Sequence, residues 1–131
     1  MTYEIDGTRF GTLDEFFREF EAAVIPGVEW GRNLDAFVDV LRGFGTPPEG
    51  FTLVWRKHAV SKDRLGHIET VRALEARLRQ CHPDNRGEVT RQLDAARAGQ
   101  GPTVFDWLVE IIRDCGANGT ATDGRVGLVL D

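Results

Sequence analysis

A run of twelve residues decides the fold: Trp30-Gly31-Arg32-Asn33-Leu34-Asp35-Ala36-Phe37-Val38-Asp39-Val40-Leu41. Asn33 is a residue type that often caps the N-terminus of a helix. Apolar side chains follow at helical spacing, at Leu34, Phe37, Val38 and Leu41. The run therefore predicts a short amphipathic helix that begins after Asn33 and is closed by the glycines and prolines of residues 43–48.

Two acidic residues, Asp35 and Asp39, stand four positions apart in this helix and therefore share one face. Two like charges at this spacing cost roughly a few tenths of a kcal/mol. One explanation is solvation, because Asp35 lies in the first turn, where the helix dipole favours it, and Asp39 can point into water. The other is that two carboxylates on a rigid helix suit the Arg, Lys and His cluster of a phosphate-handling enzyme. Spacing alone favours solvation.

Before this helix the sequence predicts a strand and a longer helix. Residues 3–7 alternate apolar and polar side chains and then turn at Asp6-Gly7. Thr12-Leu13-Asp14-Glu15 fits a capping box, and Pro26-Gly27 ends the apolar periodicity that follows it. After it, Phe51–Trp55 is almost wholly apolar, which predicts a parallel strand covered on both faces.

The rest of the chain continues the alternation. Residues 61–80 form one helical pattern with an apolar side, and residues 88–98 form a weaker one. The apolar side of the first pattern comprises Leu65, Ile68, Val71, Leu74 and Leu78. Thr103 can cap a further helix, and Val126–Leu130 is apolar enough to be central in a sheet. The predicted architecture is a single α/β domain, residues 1–131, with a small, mainly parallel sheet and packed helices.

Composition narrows the classes of function. The chain has 131 residues and a formal net charge of −5, which opposes binding to nucleic acid and favours encounter with a basic partner. No apolar stretch or leader pattern predicts a membrane span or export. Cys81 and Cys115, the only cysteines, are expected as reduced thiols, which indicates a cytoplasmic protein.

The helix that carries the two acids resembles the barstar family, intracellular inhibitors of secreted guanyl-type ribonucleases. The residues that match there are Gly31, Asn33, Leu34, Asp35, Ala36, Asp39, Leu41 and Gly43, with Phe44 where the family often has Trp. Leu53-Val54-Trp55-Arg56 and Ser61-Lys62 extend the similarity. It covers roughly the first 65 residues and the last 30, and residues 67–101 look like a helical insertion.

The resemblance implies a three-stranded barstar-like fold and a way of acting. Asp39 would take the place of the scissile RNA phosphate in the enzyme's cleft, and Asp35 would bind neighbouring basic groups. The residues implied to bind the partner are Trp30, Gly31, Asn33, Leu34, Asp35, Val38, Asp39, Gly43, Phe44 and Glu110. The implied partner is a secreted basic ribonuclease, barnase or a Streptomyces-type guanyl ribonuclease, bound one to one by a monomer. No cofactor, metal, nucleic acid or membrane is expected.

Some positions depart from the family pattern. Glu29 and Val38 stand where the best-known member has aromatic residues, and Arg32 replaces an acid. The insertion also leaves two candidates, Glu110 and Asp114, for the family's acid on the last helix. These departures change the anchor packing and the local charge, and they therefore bear on which enzyme of this class the chain binds.

Three alternatives remain. The chain could be a barstar-like immunity or interaction module whose partner is not a guanyl-specific ribonuclease. His82-Pro83-Asp84 is similar to the loop tripeptide of J-domain co-chaperones, although a plain helix stop at Pro83 explains it better. Catalysis by Asp35, Asp39 and His82 has no supporting motif, so the chain is not expected to be an enzyme.

Overall fold

The structure is a computed structural model that describes residues 1–43, 45–47, 49–116 and 126–131, without the side chains of 115 and 116. The described residues form three strands and six α-helices. In chain order they are β1 (Thr2–Asp6), α1 (Leu13–Val24), α2 (Leu34–Leu41), β2 (Phe51–Arg56), α3 (His58–Arg64), α4 (His67–Gln80), α5 (Arg86–Arg97), α6 (Val104–Gly116) and β3 (Val126–Leu130). No helix in these ranges is long and apolar enough to cross a membrane.

The three strands form one parallel sheet in the order β1-β2-β3. This confirms the predicted α/β fold with a small parallel sheet. The prediction that Val126–Leu130 is central is wrong, because β2 takes the centre and β3 an edge, where Val129 is 48% exposed. A strand's own apolar content does not decide which neighbours it pairs with.

One face of the sheet carries the core. Phe51, Leu53 and Trp55 of β2 are buried against the helices, whereas Thr52 and Val54 on the other face are only partly buried. The prediction that β2 is covered on both faces is therefore wrong within the described residues. The helices that cover the core face bring Phe16, Phe20 and Phe37, whose rings contact one another at centroid distances of 5.0–6.2 Å.

The predicted helix over residues 61–80 is two helices. The backbone of Gly66 is extended and caps α4. The carbonyl of Leu65 accepts a hydrogen bond from the Phe105 N–H at 3.2 Å, which takes it out of the helical pattern. The helical register restarts after this break, so Ile68, predicted on the apolar side, is 91% exposed, while Glu69 and Thr70 are buried.

Helices α4 and α5 pack against each other around a small cluster of their own, formed by Leu74, Val89, Leu93 and Ala96. The half-buried Trp107 of α6 contacts both this cluster and the main core. The 3-10 turn Pro83–Asn85 joins the two helices, which confirms the helix stop predicted at Pro83. We call residues 67–97 the helical hairpin.

A buried carboxylate attaches the hairpin to α1. Glu69 is 5% exposed and accepts a hydrogen bond from the Leu13 N–H at 2.7 Å. It also accepts two hydrogen bonds from Arg72, each at 2.6 Å, and these contacts raise the pKa of the Arg72 guanidinium. The first turn of a helix leaves N–H groups without internal partners, so Glu69 supplies α1 with an acceptor from a distant segment.

Candidate partner-binding site

Helix α2 forms as its sequence predicts. The Asn33 side chain accepts a hydrogen bond from the Ala36 N–H at 2.8 Å, which caps the helix. Phe37, Val40 and Leu41 are buried and hold α2 on the core. The opposite face is left to solvent, and the short helix cannot turn without exposing these three side chains.

Asp35 and Asp39 lie on that solvent face, both exposed. No described side chain forms a salt bridge or a hydrogen bond with either carboxylate. Asp35 lies in the first turn, where the helix dipole stabilises an anion, whereas Asp39 lies in the last turn, where the dipole opposes one. Solvation accounts well for Asp35, but the position of Asp39 costs stability in the free protein.

The segment before α2 is fixed by Glu21 of α1. The Trp30 indole donates to Oε1 of Glu21 at 2.8 Å, and Arg32 donates to both its oxygens at 2.9–3.1 Å. These hydrogen bonds, that of Arg32 first, lower the pKa of the Glu21 carboxyl. Arg32 adopts φ 48°, which costs a non-glycine residue about 1 kcal/mol, so the pair holds a strained turn in place.

Trp30, which the resemblance implies to be a contact with the partner, packs partly against the core. Its ring is half-buried and packs edge-to-face on Phe17 at 5.4 Å, with Phe20 at 6.3 Å. Its indole N–H is already used by Glu21, because the acceptor lies within reach across the turn. The rest of the Trp30 side chain is exposed.

The other predicted contact residues surround α2. Gly31 is exposed, and a Cβ there would approach the Asn33 side chain to 2.9 Å, so glycine suits this position. Leu34 and Val38 are half-buried, and Gly43 adopts φ 130° after the helix. Phe44 lies outside the described residues.

Glu110, the predicted contact residue on the last helix, lies apart from α2. Glu110 is exposed on α6 and lines a cavity of about 430 Å³. Asp106, Arg113, Asp114 and Leu130 of β3 line it too, whereas no residue of α2 does. Glu110 and Asp114 share this place, so the geometry does not choose between them.

A larger groove of about 640 Å³ opens beside Asp35. Its lining comes from the start of α1, from the start of α2 and from the α4 side of the hairpin. Asp14 of α1, Asp35 of α2 and Arg77 of α4 are among the charged residues that line it. The acidic helix and the predicted insertion therefore share a surface.

Sequence reasoning missed Glu21 and Arg77 as neighbours of the site. Glu21 lies eleven residues from Arg32, and Arg77 lies in a segment interpreted as an insertion. A capping pattern or a periodicity reports contacts within one element, so neither signal could have found them. Cys81, expected as a reduced thiol, is a free cysteine beside the groove.

Comparison with known protein families gives one match. No curated protein matches the chain. The sequence model of one family, described as barstar (barnase inhibitor), matches residues 1–93, which run from β1 into α5. This match covers more than half of the 131 residues. By the match and by its fold, the chain belongs to the barstar family, a family of ribonuclease inhibitors.

Proposed function

We propose that this chain inhibits a secreted, basic, guanyl-type ribonuclease by inserting the acidic face of α2 into its active site. The observation that carries the proposal is the pair Asp35 and Asp39, exposed on one face and without an ion pair in the described chain. Asp39 stands where the helix dipole opposes it. A costly charge that stabilises nothing in the free protein is explained by a contact in a complex.

The chemistry of inhibition is charge-assisted hydrogen bonding. Asp39 accepts bonds from the Arg and His side chains that would otherwise hold the scissile phosphate, and Asp35 engages neighbouring cations. Both carboxylates stand on a helix fixed by its cap and its buried face, so little backbone freedom is lost on binding. In barstar itself the second of these aspartates is a binding hot spot worth several kcal/mol, and we carry the same order of magnitude over to Asp39 from that family member.

The surroundings of α2 support this role. The Glu21 pair fixes residues 30–32 ahead of the helix, and Gly31 lets the chain pass close to Asn33. The net charge of −5 steers the protein towards a basic enzyme. In this proposal the protein acts as a monomer in the cytoplasm of the producing cell, before the enzyme is exported, and needs no cofactor.

Titration of barnase with the protein, followed by RNA cleavage, tests the proposal. We expect stoichiometric inhibition by the wild type and a loss of at least a hundredfold in affinity with Asp39→Ala. Asp94→Ala, which removes an exposed acid from α5, is the matched control and should inhibit like the wild type. If the folded wild type inhibits neither barnase nor a Streptomyces-type ribonuclease, the partner is of another kind and the chain is a barstar-like interaction module.

A second candidate function concerns the hairpin. The tripeptide His82-Pro83-Asp84, which is similar to the J-domain loop tripeptide, is exposed in the turn between two packed helices. The Asp84 N–H donates to the His82 ring at 3.1 Å, which orders the turn. Stimulation of an Hsp70-type ATPase by the wild type, abolished by His82→Gln, would support this role, and an unchanged ATPase rate would reject it.

A further inference from the structure

The groove beside Asp35 has a charge that the proposed function leaves without a role. We propose that the groove is a second contact surface for the same ribonuclease, in which Arg77 pairs with a carboxylate on the rim of the enzyme's basic cleft. This inference rests on the proposed function. In this inference the helical hairpin determines which ribonucleases the protein binds tightly.

Three arginines line the groove, and two of them are already neutralised. Arg32 pairs with Glu21 at 2.9 Å, and Arg72 pairs with Glu69 at 2.6 Å. Arg77 is exposed and has no salt bridge or side-chain hydrogen bond to any described residue. It is therefore the cation in this groove that is available to a partner.

Arg77 and Asp35 line the same groove. A protein that seats a cation on Asp35 therefore brings its neighbouring surface to the groove that holds Arg77. A wholly basic surface would place a like charge against Arg77, and like charges brought together at an interface oppose binding. A partner with an acid next to its basic cleft satisfies both residues.

The shape of the groove agrees with a protein side chain as its occupant. Its volume of about 640 Å³ accommodates a few side chains of a loop. Leu34, Leu74 and Trp107 supply apolar lining. The polar lining includes Arg77, Gln80 and Asn85 together with the carboxylates of Asp14 and Asp35, so an acid from the partner is accepted only at Arg77. An acidic loop residue with an apolar neighbour fits this combination.

Charge reversal on α4 tests the inference, with Arg77→Glu compared to Arg79→Glu. Arg79 is exposed on the same helix but does not line the groove. Each substitution replaces +1 by −1, so both variants go from a net charge of −5 to −7 and have the same long-range attraction to a basic enzyme. The probe is barnase, or the Streptomyces-type ribonuclease if the wild type inhibits that enzyme more tightly, and the measurement is the rate of association and dissociation. Thermal unfolding of each variant checks that it folds.

We expect Arg77→Glu to weaken binding at least tenfold, mainly through faster dissociation. Arg79→Glu should have the affinity of the wild type and an association rate that is equal or slightly higher. Reversal of the facing acid on the enzyme to Lys should restore the binding of Arg77→Glu. If Arg77→Glu binds as tightly as Arg79→Glu, or tighter, the inference fails while the proposed function stands. It also fails if Arg77→Glu leaves inhibition intact but abolishes a dimer seen by light scattering, since the occupant is then a second copy. Absence of wild-type inhibition overturns both proposals.

Discussion

Removal of the Asp39 charge should stabilise the free protein while it destroys inhibition. Two effects of the carboxylate are unfavourable in the structure. Its like-charge neighbour Asp35, one turn away, costs roughly 0.2–0.5 kcal/mol, and its place in the last turn of α2 costs roughly 0.3–1 kcal/mol at an exposed site. Asp39→Asn removes both unfavourable interactions, because asparagine is uncharged. The side chain keeps nearly the same size, and its helix propensity is similar. The expected gain in unfolding free energy is about 0.5–1.5 kcal/mol, the sum of these two terms.

Asp35→Asn is the matched control, because it relieves the same repulsion but loses the favourable interaction with the helix N-terminus. The two terms oppose each other, so the expected change is close to zero or slightly destabilising. The gain in unfolding free energy should be larger for Asp39→Ala than for Asp39→Asn, because alanine has the higher helix propensity. A gain of 1 kcal/mol corresponds to roughly 3–5 °C in Tm for a domain of this size.

Urea unfolding at pH 7, in low salt and in about 1 M NaCl, measures these changes. The gain from Asp39→Asn should shrink in high salt, because exposed charges are then screened. A loss of stability above about 0.5 kcal/mol in Asp39→Asn would refute the reasoning, since it would mean that the carboxylate has a stabilising role in the free protein. A gain for Asp35→Asn equal to that for Asp39→Asn would reject the contribution of the helix dipole.

Other predictions concern the contacts that position the site. Glu69→Ala should lower stability by about 2–4 kcal/mol in urea unfolding, because Leu13 and Arg72 lose a buried hydrogen-bond acceptor. The control is Asp14→Ala: the Asp14 carboxylate is exposed and lies 3.9 Å from the Arg72 guanidinium, so its loss should cost under about 0.5 kcal/mol. Glu21→Gln should weaken ribonuclease inhibition several-fold by loosening residues 30–32, and a normal inhibition constant would argue against that role. The lowered pKa of Glu21 stabilises the fold above the ordinary glutamate pKa, so the stability difference between wild type and Glu21→Gln should be full at neutral pH and should shrink as the pH falls through the lowered pKa of the folded protein. Salt should slow association with the ribonuclease far more than it changes dissociation, and an association rate independent of salt would exclude steering by the net charge.

The elements near α2 could be predicted because their signals are local. Asn33 caps its helix through a hydrogen bond three residues away, and the spacing of Phe37 and Leu41 sets the buried face. The solvent face of Asp35 and Asp39 follows from the same geometry. The alternation of apolar strands with amphipathic helices likewise predicted a parallel sheet correctly.

Contacts between distant segments determined the break before α4 and the order of the strands, which the sequence did not predict. The break before α4 depends on Leu65, whose carbonyl bonds to Phe105, forty positions away. The central strand is β2, because strand order depends on pairing between distant segments. Sequence by itself thus determined the acidic helix, whose hydrogen bonds and periodicity lie within a few residues. Only the fold placed Glu21 under the turn that precedes it and Arg77 beside Asp35, because these neighbours meet through packing between elements.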